Sequence, residues 1–206
     1  RGFGAGHRVA LMSPNSPEFA VIFHAVGWAG GTLTTLNPTY TAAEVRHQLT
    51  DSGAEVLFTI AAFEATARDG MAGTNCRELV IIEAMQAWHG PALPAQVPVD
   101  LDAHVFVLPY SSGTTGLPKP ITHGHHGIVL EHLKTAAFHY ELKEGQALLC
   151  YSTTGWMVWN TLMMAPLMNG RSVLYDGHPS FPDARRMWQI AEETRVAVFG
   201  TSPTFI

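Results

Sequence analysis

Cysteine is scarce in this sequence, which has only Cys76 and Cys150 among its 206 residues. The two lie far apart and neither belongs to a C-x-x-C pair, so the chain lacks both the ligand spacing of a zinc site and the cysteine density of a disulfide framework. We interpret both as ordinary buried thiols of a protein in a reducing compartment, and expect a cytoplasmic location.

Positive charge is also scarce. The 12 Lys and Arg residues are outnumbered by 17 Asp and Glu, the formal net charge is −5, and the basic residues are scattered along the chain. A protein that binds nucleic acid needs a positively charged surface to meet the phosphate backbone. No nucleic-acid partner is therefore expected.

Long apolar runs are missing as well. The longest candidate, residues 19–29, is interrupted by His24 and Gly27 and is too short for a bilayer. We expect no integral membrane span, and no signal-peptide pattern is present. The first residue is Arg1 rather than Met, and an apolar strand pattern runs to the last residue, so we expect both ends to be truncated.

What the sequence does contain is a high apolar content, 47% against 14% charged residues, which is typical of a globular protein with a substantial core. β-rich runs alternate with helical patterns, and this alternation predicts an α/β fold with parallel sheets flanked by helices, incomplete at the end of the chain. The predicted strands are 8–12, 32–36, 55–60, 79–83, 104–108, 147–151, 171–175 and 196–199. The predicted helices are 17–30, 42–52, 61–71, 127–140, 158–168 and 184–193.

Two helix starts carry specific signals. Ser16 can cap the first helix, with Pro17 at its first position and Glu18 at the positive end of its dipole. Thr41 and Glu44 have the spacing of a capping box. A turn at 144–145 divides the chain into a first α/β subdomain, 1–139, and the start of a second one, 140–206, which is truncated.

The most informative segment is Y-S-S-G-T-T-G-L-P-K at 110–119, between a predicted strand and a predicted helix. Gly113 and Gly116 let backbone N–H groups approach an anion, and Lys119 adds a compact positive charge. Four hydroxyls can donate to phosphate oxygens or contact Mg²⁺; they belong to Ser111, Ser112, Thr114 and Thr115. The segment is therefore predicted to bind a polyphosphate.

Two alternatives exist for this segment. The Walker pattern requires Lys directly after Gly, whereas Pro118 precedes Lys119, so a P-loop ATPase is disfavoured. A plain Ser/Thr/Gly turn is the other alternative, and ten residues in this order make it the weaker one.

The segment resembles the signature of the adenylate-forming superfamily of acyl-CoA synthetases, luciferases and adenylation domains. Residues 1–119 resemble coumarate–CoA and fatty-acid–CoA ligases through V-A-L-M-S-P-N-S-P-E at 9–18 and N-P-T-Y-T at 37–41. Residues 121–206 resemble acetoacetyl-CoA synthetases through L-E-H-L-K, T-T-G-W-M-V-W-N, L-Y-D-G and F-G-T-S. Pro120 replaces a small residue expected at that position and is predicted to tighten or displace the exit of the loop.

The resemblance implies a two-step reaction. A carboxylate joins the α-phosphorus of ATP and releases pyrophosphate, and the thiol of CoA then attacks the acyl-adenylate. It also implies that Thr114, Thr115 and Lys119 hold the β- and γ-phosphates, with Mg²⁺ offsetting their charge. A small-molecule carboxylic acid, ATP and CoA are the implied substrates.

The segment 153–160 matches the place of the superfamily's acyl-pocket motif, so Gly155 and Trp156 are candidates for the acyl pocket. His123 is a third candidate, by its resemblance to the superfamily's Thr-His step after the phosphate loop. Trp156 and Trp159 have helical spacing and could equally be core residues; we favour the core for Trp159. His125 and His126 are adjacent, with no acidic or Cys partner spaced to complete a metal site, and no metal is predicted there.

Three superfamily elements have no match in these 206 residues: the Tyr-Gly-x-Thr-Glu element, the ribose-binding Asp and the C-terminal-domain lysine. The chain is therefore expected to be a fragment of an ATP-dependent carboxylate–CoA ligase, inactive alone and complemented by the missing C-terminal domain of the same enzyme. A short acid such as acetoacetate is preferred over an aryl or medium-chain acid. A non-catalytic nucleotide- or phosphate-binding module and a plain structural domain are the other possibilities.

Overall fold

A computed structural model describes residues 3–91, 95–111 and 118–205 of the chain. Strands and helices alternate along most of it, as the sequence predicts. The elements are β1 (Arg8–Met12), α1 (Pro17–Trp28), β2 (Thr32–Leu36), α2 (Ala42–Ser52), β3 (Val56–Thr59), α3 (Glu64–Met71), β4 (Glu78–Ile81), β5 (Val105–Val107), β6 (His123–Gly124), α4 (His125–Lys134), β7 (Ala147–Cys150), α5 (Met157–Asn160), α6 (Met164–Leu167), β8 (Arg171–Val173), α7 (Arg186–Thr194) and β9 (Val196–Gly200).

The described strands form two sheets. The first has the order β4-β3-β1-β2-β5-β6, and all its neighbours are parallel except β6, which runs antiparallel to β5. The second is a parallel sheet with the order β8-β7-β9. The predicted fold class, α/β with mainly parallel sheets flanked by helices, is confirmed. The division into 1–139 and 140–206 stays a prediction.

Both predicted helix starts are present. The Ser16 hydroxyl accepts from the N–H of Phe19 at the start of α1, and Pro17 is the first helical residue. Thr41 and Glu44 form the reciprocal capping box of α2, which ends at Gly53 with φ 66°. Glycine tolerates this left-handed conformation without the steric penalty of a Cβ, so the end of α2 is locally encoded.

One hydrophobic core reaches from the first sheet into the second. Phe19 and Phe23 of α1 contact the indole of Trp159, with ring centroids 4.4 Å and 5.8 Å apart. Trp159 is fully buried, which confirms its assignment to the core. Leu148 of β7 belongs to the same cluster.

Several predicted elements differ in detail, among them the helix predicted at 127–140, which is α4 followed by a π-helical segment at Thr135–His139. The strand predicted at 79–83 ends at Ile81, and a 3-10 segment follows it over Ile82–Ala87. The helix predicted at 158–168 is a series of short turns, α5, a 3-10 turn (Thr161–Met163) and α6. The Thr161 hydroxyl donates to the Val158 carbonyl, and Pro166 has no N–H to donate, so both weaken a regular helix.

Within the described residues, every helix is too short or too polar to cross a membrane.

Candidate functional site

The predicted phosphate segment begins where the first sheet ends. Val107 of β5 pairs with Leu33 of β2, and the N–H of Leu108 donates to the Leu33 carbonyl at 2.7 Å. The Thr34 hydroxyl donates to the Leu108 carbonyl at 2.8 Å. The chain therefore leaves β5 at the carboxyl ends of parallel strands, the edge at which open α/β sheets bind ligands.

The two ends of the segment are hydrogen-bonded to each other. The N–H of Ser111 donates to the Lys119 carbonyl at 3.0 Å, and the N–H of Lys119 donates to the Ser111 hydroxyl at 3.1 Å. Pro120 pairs with Tyr110 in an antiparallel bridge, and the N–H of Ile121 donates to the Pro109 carbonyl at 2.9 Å. Pro120 is thus part of the closed base of the loop.

The structure describes two of the seven predicted phosphate-binding residues. Ser111 is half-buried in the base of the loop, and Lys119 is exposed. The other five lie outside the described residues: Ser112, Gly113, Thr114, Thr115 and Gly116. Their role in phosphate binding stays a prediction.

Tyr110 anchors the start of the segment. Its side chain is buried, and its hydroxyl donates to Asp51 Oδ2 of α2 at 2.6 Å. Burial, followed by the hydrogen bond to Asp51, raises the pKa of Tyr110 well above its ordinary value. The phenol therefore stays protonated and keeps donating at any pH at which the protein would be assayed.

The first sheet contacts the second through the turns that follow β1 and β7. The Asn15 amide donates to the Ser152 carbonyl at 3.1 Å, and its oxygen accepts from the Trp159 indole N–H at 2.5 Å. The Thr154 hydroxyl donates to the Ser13 carbonyl at 2.6 Å. Both turns lie at carboxyl ends of parallel strands, so the ligand-binding edges of the two sheets meet at this junction.

Gly155 lies against the first sheet with no room for a side chain. A Cβ at this position would be 2.6 Å from the N atom of Asn37 and 2.8 Å from its Cα, both backbone atoms that follow β2. Any side chain here would push the two turns apart. Gly155 therefore fixes how closely the turn after β7 approaches the first sheet.

The side chain of Trp156 is 53% exposed, beside the fully buried Trp159. A cavity of about 100 Å³ lies at the junction, and six residues that line it are Pro14, Asn15, Pro38, Thr154, Tyr175 and Asp176. A larger apolar groove of about 520 Å³ lies between α1 and strands β1, β3 and β4. None of the predicted site residues that the structure describes lines either space. The smaller cavity is lined by Thr153 and Thr154, which precede Gly155, whereas the larger groove contacts neither turn of the junction.

The histidines after the segment have separate surroundings. His123 has a buried Nε2 without a hydrogen-bond partner, and burial lowers its pKa. His125 shares a 3.0 Å hydrogen bond with His104, and His126 lies 3.2 Å from Asp102. No hydrogen bond or ring contact between described residues joins His123 to Trp156, so their common role in an acyl pocket stays a prediction.

The described residues contain no group of three His, Cys, Asp or Glu side chains able to hold a metal ion. Cys76 and Cys150 are free thiols, and burial raises the pKa of both, that of Cys76 to about 11. Thiols held in this protonated form are poor nucleophiles and poor metal ligands.

Sequence reasoning missed the residues that assemble this region. Asn15, Asp51 and Thr154 make hydrogen bonds to residues 59 to 144 positions away. The one local signal is position, because Asn15 and Thr154 are polar residues just after apolar strands. Their partners could not be read from the sequence.

Comparisons with known proteins agree with the resemblance seen in the sequence. The AMP-binding enzyme family matches residues 1–206. Acetoacetyl-coenzyme A synthetase of Rhizobium meliloti is 30% identical over the whole chain, which spans 36% of that protein. The structure of acetoacetyl-CoA synthetase from Streptomyces lividans superposes with a TM-score of 0.88 at 33% identity, over 99% of this chain and 35% of that one.

A more distant solved structure supports the fold alone. The o-succinylbenzoate CoA synthetase of Bacillus subtilis, in complex with an acyl-adenylate intermediate, has a TM-score of 0.84 at 19% identity and covers 98% of this chain. The likeness to acetoacetyl-CoA synthetase extends over the whole chain, including residues 1–119, whose motifs resemble coumarate–CoA ligases. The chain spans about a third of the length of these acetoacetyl-CoA synthetases.

Proposed function

The chain belongs to the family of AMP-binding enzymes, and we propose that it carries the phosphate-binding and acyl-binding parts of an ATP-dependent carboxylate–CoA ligase. The observation that carries the proposal is the closed base of the loop, where Ser111 and Lys119 are hydrogen-bonded at the carboxyl end of the first sheet. This base lies on the edge of the sheet that meets the second sheet.

Among the residues that the structure describes, Lys119 supplies the positive charge of the proposed phosphate site. Its ammonium would neutralise charge on the β- and γ-phosphates, and the hydroxyls of 111–115 would donate to their oxygens. Mg²⁺ would enter with ATP as the MgATP substrate, held mainly by phosphate oxygens.

The proposed reaction has two steps. A carboxylate oxygen attacks the α-phosphorus of ATP, a new P–O bond forms, and the bond to pyrophosphate breaks. The sulfur of CoA then attacks the acyl carbonyl, and AMP leaves as the thioester forms. Transfers of this kind are accelerated mainly by positioning and by neutralising charge, which a hydrogen-bonded loop base with a lysine can supply.

The acid would bind beside Trp156, in the junction that Gly155 keeps narrow. A junction cavity of about 100 Å³ favours a short acid such as acetoacetate over an aryl or medium-chain acid. The acetoacetyl-CoA synthetases among the relatives support the same preference. His123 stays a candidate for the acyl pocket. The C-terminal domain of the adenylate-forming enzyme would be the partner that completes the site.

A non-catalytic nucleotide- or phosphate-binding module is the second candidate, because the loop base would bind phosphate without any acyl transfer. The two are separated by incubating the chain with stoichiometric MgATP and acetoacetate for hours and measuring acetoacetyl-adenylate by mass spectrometry. The ligase proposal predicts an acid-dependent acyl-adenylate that Lys119→Ala removes. Nucleotide binding with no acyl-adenylate would favour the module, and benzoate and octanoate test the acid preference.

A further inference from the structure

Helix α2 is held rigidly against the first sheet. Its first turn is closed by the capping box, and its last turn receives the Arg8 guanidinium, which donates to the Ser52 carbonyl at 2.7 Å. The buried Gln48 amide donates to the Thr34 hydroxyl at 2.8 Å and to the Thr35 carbonyl at 3.0 Å. The first turn of α2 is thus closed by its own side chains, and hydrogen bonds join the rest of the helix to β1 and β2.

One side of α2 contacts both ends of the phosphate segment. Near the start of the segment, Asp51 accepts from the Tyr110 hydroxyl, and near its end, His47 donates through its ring Nε2–H to the Pro118 carbonyl at 3.3 Å. Residues four apart on a helix lie on the same face. His47 and Asp51 therefore reach two chain positions that are eight residues apart in the sequence.

We propose that Asp51 and His47 are positioning residues, which hold Tyr110 and Pro118 so that Ser111 and Lys119 are set for a polyphosphate before it binds. The proposal rests on the proposed function for its ligand. A loop base that is ordered before binding loses less conformational freedom on binding than a free one, and the smaller loss appears as higher affinity.

The test uses the whole 206-residue chain and magnesium pyrophosphate as the probe. Asp51→Ala and Tyr110→Phe are each expected to weaken binding about five- to tenfold, which is within the range for the net contribution of one intramolecular hydrogen bond. The double variant should be no weaker than either single one, because both remove the same bond. Asp51→Asn keeps an acceptor oxygen and should recover most of the affinity.

A matched control separates positioning from general stability. Thr59→Val removes a buried hydrogen bond, from the Thr59 hydroxyl to the Met12 carbonyl at 2.8 Å, on a strand that is three places from β5 in the first sheet. It should lower the melting temperature and leave the affinity for magnesium pyrophosphate unchanged. An Asp51→Ala chain that binds as tightly as the unmodified chain would overturn the proposal.

Amide hydrogen exchange gives a second readout that needs no ligand. The N–H groups of Ser111, Lys119 and Ile121 are bonded within the loop base. Asp51→Ala should speed their exchange about tenfold and leave the amides of β1 unchanged. If Asp51→Ala leaves the exchange rates of these three amides unchanged, the positioning role is overturned, whether or not pyrophosphate binds. If the exchange rates rise as expected but the unmodified chain does not bind pyrophosphate, only the proposed function is contradicted.

Discussion

Replacing Asn15 with Ala tests how the two sheets are joined. The change removes the donor to the Ser152 carbonyl and the acceptor of the Trp159 indole N–H. Trp159 is fully buried, so its N–H would be left without a partner and away from water. Such an orphaned donor costs about 1–3 kcal/mol, and the second lost bond about 1 kcal/mol, so the free energy of unfolding should fall by about 2–4 kcal/mol.

A loss of this size is visible by calorimetry. In a chain of about 200 residues, each kcal/mol corresponds to about 2–4 °C, so the melting temperature should fall on the order of 10 °C. Asn75→Ala is the control, because Asn75 is exposed and its replacement should shift stability by less than about 0.5 kcal/mol. If Asn15→Ala and Asn75→Ala melt within about 1 °C of each other, the Asn15 bonds do not hold the junction.

Three further outcomes are expected. Trp156→Ala should leave the melting temperature within about 2 °C, since Trp156 is 53% exposed, and should lower the acyl-adenylate yield at least about tenfold by mass spectrometry; an unchanged yield removes Trp156 from the pocket. Burial lowers the pKa of His132 in the folded chain to about 4, whereas in the unfolded chain His132 titrates at its ordinary value of about 6.5. Between these pH values the unfolded chain binds more protons than the folded one, so the free energy of unfolding should fall as the pH drops from about 6.5 towards 4. In urea unfolding at several pH values, His132→Leu should reduce the dependence of the free energy of unfolding on pH. An unchanged dependence would show that His132 does not cause it. The 206-residue chain should release pyrophosphate from ATP, CoA and acids far below one turnover per second, because losing one key donor already costs about 10²–10³-fold; turnover near one per second refutes this.

Local signals were the part of this fold that sequence reasoning could predict. Ser16 with Pro17, and Thr41 with Glu44, act within one turn of a helix, so their meaning does not depend on the rest of the chain. The position of the phosphate segment at a carboxyl strand end followed from the strand before it. The series of short turns at 158–168 was not predicted, because the apolar pattern there is that of a continuous helix and the helix-weakening residues Thr161 and Pro166 were given too little weight.

The assembly of the site depends on contacts that no local pattern encodes. Asp51 reaches Tyr110 across 59 positions, and Asn15 reaches Trp159 across 144. In the sequence, Gly155 looks like any glycine in a turn. Only the fold shows that the Asn37 backbone lies where a Cβ of residue 155 would be, which excludes a side chain. Sequence reasoning therefore named residues of the site without the contacts that bring them together.

Calorimetric titration with magnesium pyrophosphate tests most directly whether the segment at 111–119 is a phosphate site. The unmodified chain should bind, and Lys119→Ala should weaken binding at least about tenfold, because it removes the described cation of the loop base. Lys143→Ala is the matched control, an exposed lysine of the chain between α4 and β7 whose loss should leave the affinity unchanged. If the Lys119→Ala and Lys143→Ala chains bind magnesium pyrophosphate equally well, the phosphate site lies elsewhere and the account is wrong.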